Sequence, residues 1–272
     1  MRYFLLFVCL FATIFADAQP FKNLKRLEAV YATYTDDNNQ QHSEAGQIYY
    51  EPTLGKPITE KELGQLYPFT KGNLPDTWLG MVRTKLSKTA SAEYLVVFDW
   101  GMSDDYNYAF FLMEKDTLLP LQTLSSEGEI TDAYIFGKEI YLPGNGYFYT
   151  TGHVNNMFNQ RSKWTVQNNL LEETPQAFNY VGLETKAKAG FAIYADVELT
   201  QKVADIAAGN TITVLLNLPP NQAPKEAFTT KEPRYQQYDY YLIKSEFGLT
   251  GWMRIEAYSM ETPIEGLFYA GD

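Results

Sequence analysis

The chain has 272 residues, a formal net charge of −11 and an aromatic content of 15%. No basic block interrupts this acidity, so nucleic acid and anionic lipid surfaces are poor matches, since both need clustered Lys and Arg. The 45% hydrophobic content suits a folded core, and the one Cys excludes an internal disulfide framework and a cysteine-based zinc site.

Residues 1–18 (MRYFLLFVCLFATIFADA) read as a cleaved export signal. Arg2 is the positive start, Phe4 to Phe15 is the apolar run, and Ala16-Asp17-Ala18 is the small-x-small cleavage site. Cys9 lies inside the apolar run, so no lipid anchor is expected at the cleavage point. No Asn-x-Ser/Thr sequon occurs, which fits a bacterial product. The expected location is periplasmic or secreted, with cleavage after Ala18. No later stretch is long enough for a membrane span.

Beyond the signal, short period-two patterns dominate. Leu27 to Thr35 alternates, and Gly46 to Glu51 repeats this briefly. Thr59-Glu60-Lys61-Glu62 is a capping-box pattern leading into Leu63 and Leu66, so a short helix is predicted there. Tyr94 to Trp100 (YLVVFDW) and Tyr106 to Met113 (YNYAFFLM) read as two strands joined by the hairpin turn Gly101 to Asp105. Ala133 to Leu142, Tyr147 to Thr151 and Lys163 to Gln167 are further strands, and Asn168-Asn169 marks a turn. Glu184 to Gly190 (ETKAKAG) is small and polar and is taken as the domain boundary. Thr200 to Ala207 is expected as a short helix or turn. Leu218 to Pro233 holds four of the 13 prolines and reads as a long loop inside the second domain. A regular strand–helix alternation is missing, which argues against a doubly wound parallel fold.

Three features near the C-terminus carry a resemblance. Gly209 precedes the alternating strand Thr211 to Leu215; Tyr240 to Lys244 is an aromatic strand running into Ser245-Glu246-Phe247-Gly248; and Gly251-Trp252-Met253 follows at once. At about residues 187–258 the chain resembles a bacterial SH3-like domain, with Tyr240 where that family usually has Trp and with a longer Pro-rich loop. The segment Gln176 to Gly182 and the ending Gly266 to Asp272 resemble those of uncharacterised exported proteins of the Bacteroidetes type, and this second resemblance implies no activity. The expected fold is mainly β. Residues 1–18 are the signal, 19–183 an antiparallel β-rich domain, and 184–272 a small SH3-like β-barrel with a C-terminal tail.

Catalytic patterns are lacking. His42 sits in a polar run and His153 follows Gly152, with no Gly-x-Ser-x-Gly elbow and no His-Glu-x-x-His. Asp36-Asp37, Asp104-Asp105 and Glu172-Glu173 are adjacent pairs, which usually mark solvated turns. Asp99, Asp104 and Asp105 lack the alternating spacing of a calcium loop. No catalytic residue, metal ligand or cofactor is therefore expected. The remaining signal is aromatic. Tyr235, Tyr238 and Tyr240 lie close to Trp252, and such rings offer flat apolar faces with a polar tip. The same rings also suit packing, and Tyr241 is expected in the barrel core.

The resemblance implies binding of a cell-wall peptide or glycan, or of an envelope protein, with no nucleic acid and no membrane span. The expected function is a non-enzymatic exported binding protein whose candidate ligand residues are Tyr235, Tyr238, Tyr240 and Trp252. The alternatives are an envelope hydrolase using carboxylates of the N-terminal domain, and a structural subunit of an envelope complex.

Overall fold

The computed structural model describes residues 21–27, 30–35, 41–45, 47–66, 80–100, 106–115, 117–124, 130–132, 134–152, 157–219, 222–224 and 237–268. Residues 1–18, read above as an export signal, and His153, Asp104, Asp105 and Tyr235 lie outside these residues. The chain is mainly β and divides into two units: one takes Met1–Gly101, Tyr106–Thr150 and Lys163–Glu173, and the other takes Thr151–Ser162 and Thr174–Asp272.

In chain order the first unit begins with β1 (Lys25–Arg26), β2 (Val30–Thr35), β3 (Gln41–Ala45), β4 (Ile48–Tyr50) and β5 (Gly55–Pro57). Helix α1 (Glu60–Leu66) comes next, started by the predicted capping box. Thr59 Oγ1 accepts from the Glu62 amide at 3.2 Å, and the Glu62 carboxylate accepts from the Thr59 amide at 2.8 Å. That backbone hydrogen bond, with the one from the Thr59 hydroxyl, holds the Glu62 carboxyl below its ordinary value. Thr59→Ala should lower stability by about 1 kcal/mol and Thr59→Asp should restore most of it, read as urea midpoints.

Next come β6 (Gly80–Thr84), β7 (Tyr94–Trp100) and β8 (Tyr106–Met113). The last two keep the predicted bounds and pair from Tyr94↔Leu112 to Trp100↔Tyr106. Then follow β9 (Leu118–Pro120), β10 (Gln122–Leu124), β11 (Ile130–Asp132), β12 (Tyr134–Gly137), β13 (Glu139–Leu142), β14 (Phe148–Gly152), β15 (Gln160–Gln167) and β16 (Leu170–Glu173). Asn168 and Asn169, both at positive φ, make the two-residue turn between β15 and β16, a conformation Asn tolerates.

These strands form an eight-stranded sheet, β1-β4-β13-β14-β15-β16-β10-β11, a six-stranded sheet, β12-β8-β7-β6-β5 with β9 on β8, and the pair β2-β3. The two larger sheets share one core, built from Ile48, Ile140, Leu142 and Phe148 on one side and Val96, Phe98, Tyr108 and Phe110 on the other. Leu95, Val97 and Phe111 point the opposite way and are covered by Leu63 of α1 and by Ile58. Burial on both faces explains why β7 is apolar almost throughout rather than alternating.

Two expectations change here. The eight-stranded sheet is not wholly antiparallel, because β13 runs parallel to β4 and β10 parallel to β16. The single strand expected over 133–142 is two strands in different sheets. Ile135 and Gly137 are buried, and then Ile140 and Leu142, so the inward phase slips by one residue at Lys138 and the chain changes sheet.

The second unit holds one six-stranded sheet, β17-β20-β21-β22-β18-β19. Its strands are β17 (Asn179–Lys186), β18 (Phe191–Tyr194), β19 (Lys202–Ile206), β20 (Thr211–Asn217), β21 (Tyr238–Ser245) and β22 (Thr250–Glu256). Glu184 to Lys186 therefore lie inside a strand paired to β20, not in a linker, and the longest stretch of the unit starts ahead of them at Thr174. Glu184 and Lys186 face water from an outer strand, which gives the composition of a linker. The helix or turn expected over Thr200 to Ala207 is mostly strand β19. Thr200, which reads as a helix start, is used by the preceding loop: its amide and hydroxyl both donate to the Asp196 carboxylate at 2.8 Å. The C-terminal segment is part of this unit, with Ile264 and Leu267 buried in the same core as Ile193, Val214 and Ile243.

Candidate functional site

Strand β21 carries the aromatic cluster, and its pleat divides it. Tyr241 and Ile243 enter the main core of the unit, while Tyr238, Tyr240 and Leu242 take the other face. Across the sheet, Tyr238 lies opposite Glu256, Tyr240 opposite Arg254 and Leu242 opposite Trp252. Tyr194 of β18 pairs Trp252 from the far side. One face thus brings together three of the four expected residues.

Their roles differ. Tyr240 is only 2% exposed and packs with Leu218 in a small second cluster, so its ring is covered and does not offer a binding face. Trp252 and Tyr238 pack against that cluster and stay half-buried. Tyr240 thus belongs to the small buried cluster against which Trp252 packs.

Two further residues complete the face, and aromatic clustering in the sequence did not point to either. Phe178 is 43% exposed, and its ring lies 6.0 Å from that of Trp252, tilted by 35°. The Arg254 guanidinium lies 4.4 Å from the centroid of Tyr238. Phe178 immediately precedes β17, which is three places from β22 in the sheet. Neighbouring strands lie about 4.8 Å apart, so in a flat sheet the two rings would be roughly 14 Å apart. Their contact requires the sheet to curl.

The segment Gln176 to Gly182 is what carries Phe178 to this place. Gln176 donates to the Arg161 carbonyl at 2.6 Å and accepts at its own carbonyl from Gln222 at 3.2 Å. Buried Asn179 donates to Asn217 at 3.1 Å, and Asn217 donates to the Tyr240 carbonyl at 3.4 Å. These bonds satisfy buried amides that would otherwise be costly. Tyr180 lies under the Arg161 guanidinium, and Gly182 leaves room for the Tyr180 ring.

Gly251 positions Trp252. A Cβ at Gly251 would meet the Tyr194 carbonyl oxygen at 2.8 Å and the Ile193 Cβ at 2.9 Å. Only glycine lets β22 come this close to β18. Gly248, at φ 96°, turns the hairpin that leads into β22.

On the inward face, burial raises the Asp239 carboxyl to about 6. Burial also raises the Tyr241 hydroxyl, and the Asp239 charge adds to that effect. This acid lies on the opposite face from Trp252, so it is not placed to act on a ligand bound there. Among the described residues no group of three or more His, Cys, Asp or Glu is arranged to hold a metal. The face offers flat rings, a guanidinium and hydroxyl tips, which is chemistry for binding.

Compared with known proteins, the chain matches no family model, no curated protein and no solved structure. Among the described residues no helix is long and apolar enough to cross a membrane.

Proposed function

We propose that this is an exported, non-enzymatic binding protein of the bacterial cell envelope. Its second unit acts as an SH3-like module that takes a cell-wall peptide or glycan, or a protein partner, on the face of Trp252, Tyr238 and Phe178. The observation that carries this reading is the half-exposed Phe178–Trp252 pair held beside the Arg254–Tyr238 stack. Half-buried aromatic rings and arginine on a rigid support dominate recognition surfaces. The SH3-like assignment draws support from the strand order. β20, β21 and β22 form a meander, and β18 pairs both β22 and β19. The export assignment rests on the signal-type residues 1–18.

The test is sedimentation of the protein with purified peptidoglycan. The parent should sediment with the sacculi, and Trp252→Ala should weaken binding by roughly tenfold or more, as for a central aromatic anchor. A parent protein left wholly in the supernatant would remove wall binding and leave a protein partner, to be sought by cross-linking in cells.

A further inference from the structure

The first unit carries a separate aromatic array on the outer face of its eight-stranded sheet. Three strands each bury two residues and turn one tyrosine outward between them. Tyr49 lies between Ile48 and Tyr50, Tyr141 between Ile140 and Leu142, and Tyr149 between Phe148 and Thr150. Tyr49 and Tyr141 are register partners, and their rings stack at 4.8 Å. The ring of Phe21 lies over Tyr141 at 5.0 Å and Tyr149 at 5.1 Å, and it stays 41% exposed. Glu139 fixes the row, accepting from Tyr49 at 3.3 Å and from Tyr141 at 2.5 Å through separate oxygens.

Packing alone accounts for cross-strand ring pairs. It does not account for the charges at the two ends. On β1, exposed Arg26 lies opposite Tyr49, with Lys22 and Lys25 exposed close by in the chain. On β15, Lys163 holds its ammonium 3.6 Å from the ring centroid of Tyr147. The chain as a whole carries −11, so an aromatic row flanked by cations is a local reversal of its field. Glu139, an acid within the row, is engaged by two tyrosine hydroxyls, and Glu51, just past the end of β4, accepts from the amide and hydroxyl of Thr53.

We propose that this face binds an acidic glycan, a chain of carboxylate-bearing sugars laid across the strands from β1 to β15. Apolar sugar faces stack on Phe21 and the tyrosine edges, and the sugar carboxylates meet Arg26 and Lys163. Four inter-strand steps span roughly 19 Å, room for a short oligosaccharide. The proposal does not depend on the Trp252 face.

The test is native gel electrophoresis of the full chain through polygalacturonate, with neutral dextran as comparison. Polygalacturonate should retard the protein and dextran should not, although net charge alone would repel the acidic polymer. The double variant Arg26→Ala/Lys163→Ala should keep the parent's melting temperature and lose about tenfold in affinity, the size of a lost charge-assisted contact. Phe21→Ala should also weaken binding, while Trp252→Ala should bind polygalacturonate like the parent. The proposal is overturned by no retardation of the parent, by equal retardation in dextran, or by a double variant that binds unchanged. Loss of polygalacturonate binding in Trp252→Ala would place the site on the other unit and overturn it as well.

Discussion

Gly251→Ala should destabilise the second unit by about 2–4 kcal/mol, and it should abolish binding at the Trp252 face even where the fold survives. The added methyl has no soft neighbour to displace. It meets the backbone nitrogen of Tyr194 at 2.9 Å and its carbonyl oxygen at 2.8 Å, and backbone in a paired strand moves only if the pairing moves. The strand pair that must open is β18–β22, whose register contact is Tyr194↔Trp252. Opening it lifts Trp252 away from Phe178 and from the Leu218–Tyr240 cluster together. The measurement is a urea melt followed by tryptophan fluorescence, with Gly248→Ala as comparison. The position of Gly248 strains an alanine through φ, but its Cβ would point into open space. Gly248→Ala should therefore cost stability without moving Trp252. Equal stability of Gly251→Ala and the parent would show that β18 and β22 do not approach as closely as described.

Local features of the fold were legible wherever the signal lies within a few neighbouring residues. The pairs Tyr94–Trp100 and Tyr106–Met113 could be bounded to the residue because an apolar run stops at turn chemistry on both sides. The capping box at Thr59 and the Asn168-Asn169 turn could be read because their chemistry is local. What failed was non-local. Nothing in the sequence reveals that β17 pairs with β20, because that choice depends on which edge is open after the rest of the sheet forms. The sheet change at Lys138 leaves only a one-residue slip in an alternating pattern. The parallel pairs β4–β13 and β10–β16 join segments far apart in the chain, and no turn signal announces them.

The candidate site was half legible for the same reason. Tyr238, Tyr240 and Trp252 stand out because they crowd in sequence, and strand pairing brings them to one face. Crowding cannot separate the covered ring from the exposed one, since Tyr238 and Tyr240 have the same parity in β21. What decides it is Leu218, beyond the end of β20, packing over Tyr240. Phe178 reaches Trp252 only through the curl of the sheet, so no spacing rule finds it. The tyrosine row of the first unit is spread over residues 49, 141 and 149 and becomes a row only once the strands are ordered.

Asp239→Asn should stabilise the protein at neutral pH, and the gain should disappear in acid. Asp239 lies between Tyr238 and Tyr240 on β21 and turns toward the core side, where burial raises its carboxyl from 3.8 to about 6. Between these two values the folded chain holds a proton that the unfolded chain has released. The folded state binds more protons there, so stability falls as pH rises through that window. Below about pH 3 both states are largely protonated and the side chain costs almost nothing as a charge. Above pH 6 the folded protein holds a poorly solvated carboxylate, a cost of roughly 3 kcal/mol at most, at 1.36 kcal/mol for each pH unit. Asparagine keeps the shape and stays neutral throughout. The variant should therefore exceed the parent by about 1–3 kcal/mol at pH 7 and by only about 0.5 kcal/mol at pH 4. Removing the charge should also let the Tyr241 hydroxyl ionise more readily, since Asp239 holds it up, though burial remains the larger cause. Urea midpoints of both proteins at pH 4, 5, 6 and 7 give the difference directly, and carboxylates elsewhere cancel in it. A difference that stays constant across that range would mean that Asp239 is as well solvated as an ordinary surface acid.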